Sequence, residues 1–183
     1  MMRSLGIDPS TTATGLVVLE SGPCLGHHGP ALLFEDTVKP GELPRLERCS
    51  HHAGRMLEVI EQFKPERIVL EGYGLNWQHS SSVLPLVELG TVLRYFLRQI
   101  GCTWLEPTPS ELKKAVLGRG SGRKAQMMLQ VYKLWGFEAV DDNRADAYGL
   151  AMIGLAHAGK LTKPAPLLEV ARALGLKRDC NSA

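Results

Sequence analysis

Apolar and β-branched residues come first in short runs. Leu5-Gly6-Ile7 and, after a Pro-Ser-Thr-Thr connection, residues 14–19 predict a β-hairpin with Asp8 at a strand end. Residues 34–38 predict a third strand that completes an antiparallel meander, with the Gly/Pro-rich residues 22–30 as connecting loop. The period then changes. From Pro44 to Phe63, Leu46, Met56, Leu57, Ile60 and Phe63 can share one helical face, and Lys64-Pro65 ends that helix. Residues 67–71, an apolar run closed by Gly72, predict a buried central strand parallel to the first, with Glu71 as its last residue.

The second half is mostly helical. Residues 82–100 predict a helix and 102–106 another strand. Thr108-Pro109-Ser110-Glu111 is a helix start, in which Thr108 caps, Pro109 suits the first position and Glu111 completes a capping box. That helix runs to Gly118. The next begins near Ser121, carries Ala125, Met128, Leu129, Tyr132 and Leu134, and stops at Gly136. Asp141-Asp142-Asn143 opens a long last helix through His157, with acidic residues where the helix dipole favours them. After Gly159 come Pro164, Pro166 and a short amphipathic segment, 167–176. The expected architecture is α/β: a mixed five-stranded sheet flanked by helices in one domain, 1–159, followed by a C-terminal tail, 160–183, with a short helix.

A length of 183 residues suits one core, and 44% hydrophobic with 22% charged residues excludes a disordered or fibrous chain. The longest apolar runs, 16–19 and 150–156, are too short for a membrane span, so no membrane association is expected. Met1-Met2-Arg3-Ser4 leads directly into a strand without the apolar region of a signal peptide, which implies a cytoplasmic protein. Cys24, Cys49, Cys102 and Cys180 are scattered and read as reduced thiols rather than a zinc or redox pair. The His27-His28 and His51-His52 pairs have no partner at metal spacing and read as solvated. Charge is uneven: between Arg94 and Lys133 eight basic side chains face only Glu106 and Glu111. An excess of six positive charges there either holds a polyanion or forms a solvated helical face.

Three carboxylates stand out against this pattern. Asp8 interrupts an apolar strand, Glu71 ends one, and Asp146 lies one turn inside the last helix among Ala145, Ala147 and Ala151. Buried carboxylates are costly unless paired with cations, hydrogen bonds or metal. Two adjacent parallel strands ending in Asp8 and Glu71, with Asp146 approaching from a packed helix, would form an oxygen cluster suited to Mg²⁺ or Mn²⁺ and to phosphate chemistry. Taken singly, such an acid is more often a cap or a surface residue than a catalytic group.

A resemblance gathers these pieces. Residues 6–15 (GIDPSTTATG), 69–72 (VLEG), 112–126 (LKKAVLGRGSGRKAQ) and 145–147 (ADA) are similar, in order and approximate spacing, to the RuvC Holliday junction resolvases. The similarity runs from about residue 3 to 158. It implies a ribonuclease H-like nuclease domain acting as a homodimer on branched DNA, the four-way junction, in a bacterial or phage-infected cytoplasm. It further implies paired phosphodiester hydrolysis leaving 5′-phosphate and 3′-hydroxyl ends, with two Mg²⁺ ions per active site, Mn²⁺ substituting, and no nucleotide cofactor. By position, Asp8, Glu71 and Asp146 resemble metal ligands, and Lys113 and Lys124 the two functional lysines near the cut. Asn143 stands where the bacterial family often has a fourth carboxylate. Asp142, nearly on the same helical face as Asp146, either substitutes for it as a metal ligand or caps the helix. The form Asp-Asp-Asn-x-Ala-Asp-Ala resembles the phage-encoded branch. The loop after Glu71 brings Tyr73 and Trp77 to the branch point, where an aromatic ring can stack on a base, or packs them on the domain itself. Lys114, Arg119 and Arg123 are further DNA-binding candidates.

Two other functions compete. Residues 8–15 also resemble the first phosphate loop of actin-like sugar kinases and chaperone ATPases, but those need two such domains around a cleft, so this chain would be only a phosphotransferase fragment. The other is a catalytically weak branched-DNA-binding protein, which the change to Asn143 favours and the five retained site residues oppose.

Overall fold

The computed structural model describes residues 1–22, 29–74 and 80–176. Its elements in chain order are β1 (Arg3–Asp8), β2 (Thr14–Glu20), β3 (Ala31–Val38), α1 (Arg45–Phe63), β4 (Arg67–Leu70), α2 (Ser80–Gln99), α3 (Pro109–Leu117), α4 (Lys124–Trp135), α5 (Asp142–His157) and α6 (Ala165–Leu176). The sheet order is β3-β2-β1-β4, with the meander β1-β2-β3 antiparallel and β4 parallel to β1. This is the mixed, helix-flanked ribonuclease H-like arrangement expected, with one correction of count.

Residues 102–106 do not form the regular fifth strand expected of them. They lie beside β4 through a single parallel bridge, Val69 to Leu105, with main-chain bonds of 3.0 Å from Leu70 N–H to Leu105 O and 2.9 Å from Leu105 N–H to Ile68 O. Pro107 has no N–H to extend the ladder, and Thr108 already caps the next helix. Boundaries elsewhere move by a few residues. Helix α4 starts at Lys124 rather than near Ser121, because Arg123 is extended (φ −85°, ψ 154°) and serves as its N-cap.

Strand alternation divides the core in two. Leu5, Ile7, Leu16, Val18, Ile68 and Leu70 face α1 and α2, where they meet Met56, Val59, Leu89, Leu93 and Leu97. The opposite face, with Val17, Leu19 and Val69, packs under α3 to α6. The helix at its centre is α5, buried on nearly every side. It lies directly on β1 because both surfaces are small: a Cβ on Gly6 would collide with the Ala147 carbonyl and the Ala151 N–H, and one on Gly154 with the Ser4 hydroxyl. The stretch after residue 160 adds to the same core, since Leu167, Val170, Ala171 and Leu174 of α6 are buried with α5. No helix among the described residues is long and apolar enough to cross a membrane.

Candidate active site

The alternation that buries Leu5 and Ile7 on one side turns Ser4, Gly6 and Asp8 towards α5. In β4, Val69 takes the α5 side while Ile68 and Leu70 take the other, so Glu71 follows Val69 onto the face of Asp8. Ile7 pairs with Leu70, and the Glu71 N–H donates to the Ile7 carbonyl at 3.0 Å, which carries the ladder one residue past β4 and sets Glu71 beside Asp8. Asp146 precedes Ala147, whose carbonyl rests over Gly6. The small-residue contact between strand and helix is therefore what delivers the third carboxylate.

The electrostatics of this cluster are unfavourable without a cation. Asp8 is 7% exposed. Burial first, then the charges of Glu71 and Asp146, hold its carboxyl well above the usual carboxylate range. Burial and the Asp146 charge push Glu71 up to about 7, against the opposing influence of a hydrogen bond with Asp8 and the Lys113 charge. Asp146 is pushed up to about 6 by burial and by Asp142, with Lys113 and Lys124 pulling the other way. Its Oδ1 is fully buried and has no hydrogen-bond partner. Among the described residues no three acidic, histidine or cysteine side chains are closed into a ligating group as they stand. The donor set nonetheless fits a hard divalent cation: it is all oxygen, anionic, holds an unpartnered buried oxygen, and leaves coordination positions for water or phosphate oxygens.

Both expected lysines flank the carboxylates. Lys113 sits on α3, which is seated on α5 where Leu112 and Val116 press against Gly149, and its charge acts on both Glu71 and Asp146. Lys124 opens α4, pairs with Asp142, and its charge is coupled to Asp146 and Asp8. Asp142 thus belongs to the cluster's surroundings. The N-cap of α5 is its neighbour Asp141, which accepts from the Arg144 N–H at 2.9 Å and from the Thr37 hydroxyl at 2.6 Å. Asn143 is half-buried in the first turn of α5, its backbone so close over Gly15 that a Cβ there would collide with it.

Other candidates are placed elsewhere. Lys114 turns to α6 and pairs with Glu169 at 2.6 Å. Arg119 and Arg123 are exposed between α3 and α4, on the Lys124 flank. Tyr73 packs on the domain itself: the Arg94 guanidinium lies 4.4 Å from its ring centre, and its hydroxyl donates to the Val87 carbonyl at 3.2 Å. Trp77 and the pair His27-His28 lie outside the described residues. His52 is not solvated as expected. It is 1% exposed on the inner face of α1, and burial pushes its imidazole down to about 4. The basic excess between Arg94 and Lys133 is also partly neutralised within the fold, by Arg94–Glu106 at 2.5 Å and by Lys114–Glu169. Arg94, reaching the segment after Glu71, is a site-adjacent residue that no local motif announces, since its partners lie 21 and 12 residues away.

Comparison with known proteins bears on the same residues. The family model for crossover junction endodeoxyribonuclease RuvC matches residues 4–155. Among curated relatives, the protein of that name from Syntrophomonas wolfei is 28% identical over 158 residues, covering 84% of this chain and 88% of the relative. The one from Mycobacterium leprae is 28% identical over 176 residues, covering 96% and 91%. Among solved structures, Thermus thermophilus RuvC superposes with a TM-score of 0.69 at 22% identity, covering 96% of this chain and 98% of the other. The same organism's RuvC in complex with Holliday junction substrate gives 0.71 at 25% identity, covering 87% and 98%.

Proposed function

The chain belongs to the crossover junction endodeoxyribonuclease RuvC family, and from that premise we propose that it resolves four-way DNA junctions at the cluster of Asp8, Glu71 and Asp146. One observation carries the assignment of the site: three carboxylates from three separate stretches of chain act on one another, Asp8 buried and Glu71 and Asp146 half-buried, with a buried Asp146 oxygen left without a hydrogen-bond partner.

The family is one of metal-dependent nucleases, and the donor set favours Mg²⁺, two ions per site, with Mn²⁺ as substitute. Asp8, Glu71 and Asp146 would hold them, with Asp142 or Asn143 completing the set. Such ions supply Lewis-acid stabilisation of the phosphodiester and of the leaving 3′ oxygen. The protein's own part is to bind, orient and neutralise. Ionised, the three carboxylates provide the negative charge that retains the ions. Lys113 and Lys124 supply positive charge to the scissile phosphate as it gains negative character. Arg119 and Arg123, exposed beside Lys124, extend that positive edge along the strand.

Paired cutting requires two sites, and we assign the homodimer contact to α2 and its end, where Leu84, Tyr95 and Ile100 are large, apolar and exposed. This reading places the protein with its DNA substrate in the cytoplasm of a bacterium. Its test is a supercoiled plasmid carrying an extruded cruciform, incubated with Mg²⁺, with Mn²⁺ or with EDTA. Two coordinated nicks convert it directly to linear DNA in either metal and not in EDTA. Accumulation of singly nicked circles would refute paired cutting, and equal cutting of a plasmid without the cruciform would refute junction selectivity.

A further inference from the structure

Arg94 projects from α2 into the angle between the Glu71 segment and residues 104–107. Its Nη1 donates to the Tyr73 hydroxyl at 3.0 Å and to the Gly90 carbonyl at 2.9 Å. Its Nη2 and Nε donate to the two carboxylate oxygens of Glu106 at 2.5 and 3.2 Å, and the Trp104 indole N–H donates to Glu106 Oε2 at 3.1 Å. The guanidinium also covers the Tyr73 ring. The surroundings are shaped for this group. A Cβ on Gly90 would stand 2.5 Å from the Tyr73 hydroxyl and 2.6 Å from Arg94 Nη1, so only glycine leaves room for both. On the other side Gly72 donates its N–H to the Pro107 carbonyl at 2.8 Å, and a Cβ there would come within 3.3 Å of Glu106 Cγ. A small cavity lined by Pro9, Glu71, Gly72, Tyr73, Gly90 and Arg94 joins this cluster to Glu71.

We propose that Arg94 is a positioning residue for the cleavage reaction, which through Tyr73 and Glu106 clamps the Glu71-Gly72-Tyr73 segment against α2 and so holds the Glu71 carboxylate in register with Asp8. Three otherwise separate pieces of chain meet at one planar, five-donor group, a geometry that lysine cannot reproduce. The clamp acts by place: the Arg94 donors go to Tyr73, Gly90 and Glu106, while Lys113 is the cation whose charge acts on Glu71. Since α2 also carries Leu84 and Tyr95 of the dimer contact assigned above, the clamp ties the assembly surface to the catalytic segment. The inference rests on Glu71 being part of the active site.

The experiment is single-turnover cleavage and equilibrium binding of a synthetic four-way junction by the native chain and by Arg94→Gln, Arg94→Lys, Tyr73→Phe, Tyr73→Phe/Arg94→Gln and Glu71→Gln. Arg94→Gln is expected to lower the cleavage rate about 10- to 100-fold, with junction Kd within about twofold and an unshifted pH midpoint. Arg94→Lys should not rescue it. Tyr73→Phe, which removes one hydroxyl, should lose about 3- to 10-fold, and the double variant should be no slower than Arg94→Gln within about twofold, because both changes break one linkage. A full rate in Arg94→Gln, rescue by lysine, or additive losses in the double variant would overturn the clamp. An active Glu71→Gln would instead overturn the site assignment beneath it.

Discussion

Asp146→Asn stops strand cleavage, by about 10³-fold or more, while junction binding persists. A loss of that size corresponds to about 4 kcal/mol of transition-state stabilisation. Asparagine keeps the shape of the side chain, and its neighbours Ala145 and Ala147 remain packed, so the helix stays on the sheet. What disappears is the charge at a place where one carboxylate oxygen is buried without a donor. Removing a negative charge from a surface that must approach phosphates leaves junction affinity equal or higher. Gel-shift titration beside single-turnover cleavage separates the two. Cleavage within about tenfold of native would remove Asp146 from the reaction, and parallel loss of binding would make its role structural.

The second large effect is on stability, and its sign runs against the habit of surface carboxylates. Glu71 titrates at about 7 and Asp146 at about 6 in the folded chain, both above their ordinary values. The folded state therefore binds protons more tightly than the unfolded one. The contribution is fully present below the unfolded carboxylate pKa and is lost as pH rises through about 7. His52 works in the opposite direction. Its imidazole is depressed to about 4, so its contribution falls as pH drops below the ordinary histidine value. A comparison with Glu71→Gln isolates the carboxylate. At pH 8 without metal the variant should be more stable than the native chain by on the order of 2–3 kcal/mol, or about 5–10 °C in Tm. Near pH 4.5 the two should converge. Adding Mg²⁺ or Mn²⁺ at pH 8 should raise the native Tm far more than that of the variant, because an ion that binds only the folded state stabilises it. Equal melting of the two proteins at pH 8 without metal would show that Glu71 pays no penalty for its ionised form.

Much of this site is legible in the amino-acid sequence. Asp8 and Glu71 declared themselves as charges on apolar strands, and strand alternation puts them on one face. The capping box at Thr108 and Glu111 is present as expected, with Thr108 N–H donating to Glu111 at 2.8 Å. The small residues around Asp146 suggested close packing, which Gly6, Ala147 and Gly154 realise. Other features depended on distance in the fold. The cap of α5 is Asp141 rather than Asp142, held by the Arg144 N–H and by the Thr37 hydroxyl at the end of β3, a contact between residues far apart in the chain. His52 shares its face of α1 with Cys49, Ala53, Met56 and Val59, a stripe that pairing it with His51 obscured. The incomplete fifth strand turns on Pro107, whose missing donor carries weight only once its neighbour β4 is in place. Arg94 and Lys114 looked like free positive charge because Glu106 and Glu169 are remote along the chain.

The most direct test of the central claim is a crystal of the chain with an uncleaved four-way junction, soaked in Mn²⁺ and measured for anomalous scattering. Manganese is expected bonded to oxygens of Asp8, Glu71 and Asp146 and to a phosphate of the junction. Manganese bound elsewhere, or a junction phosphate seated at the cluster with no ion beside it, would contradict that claim.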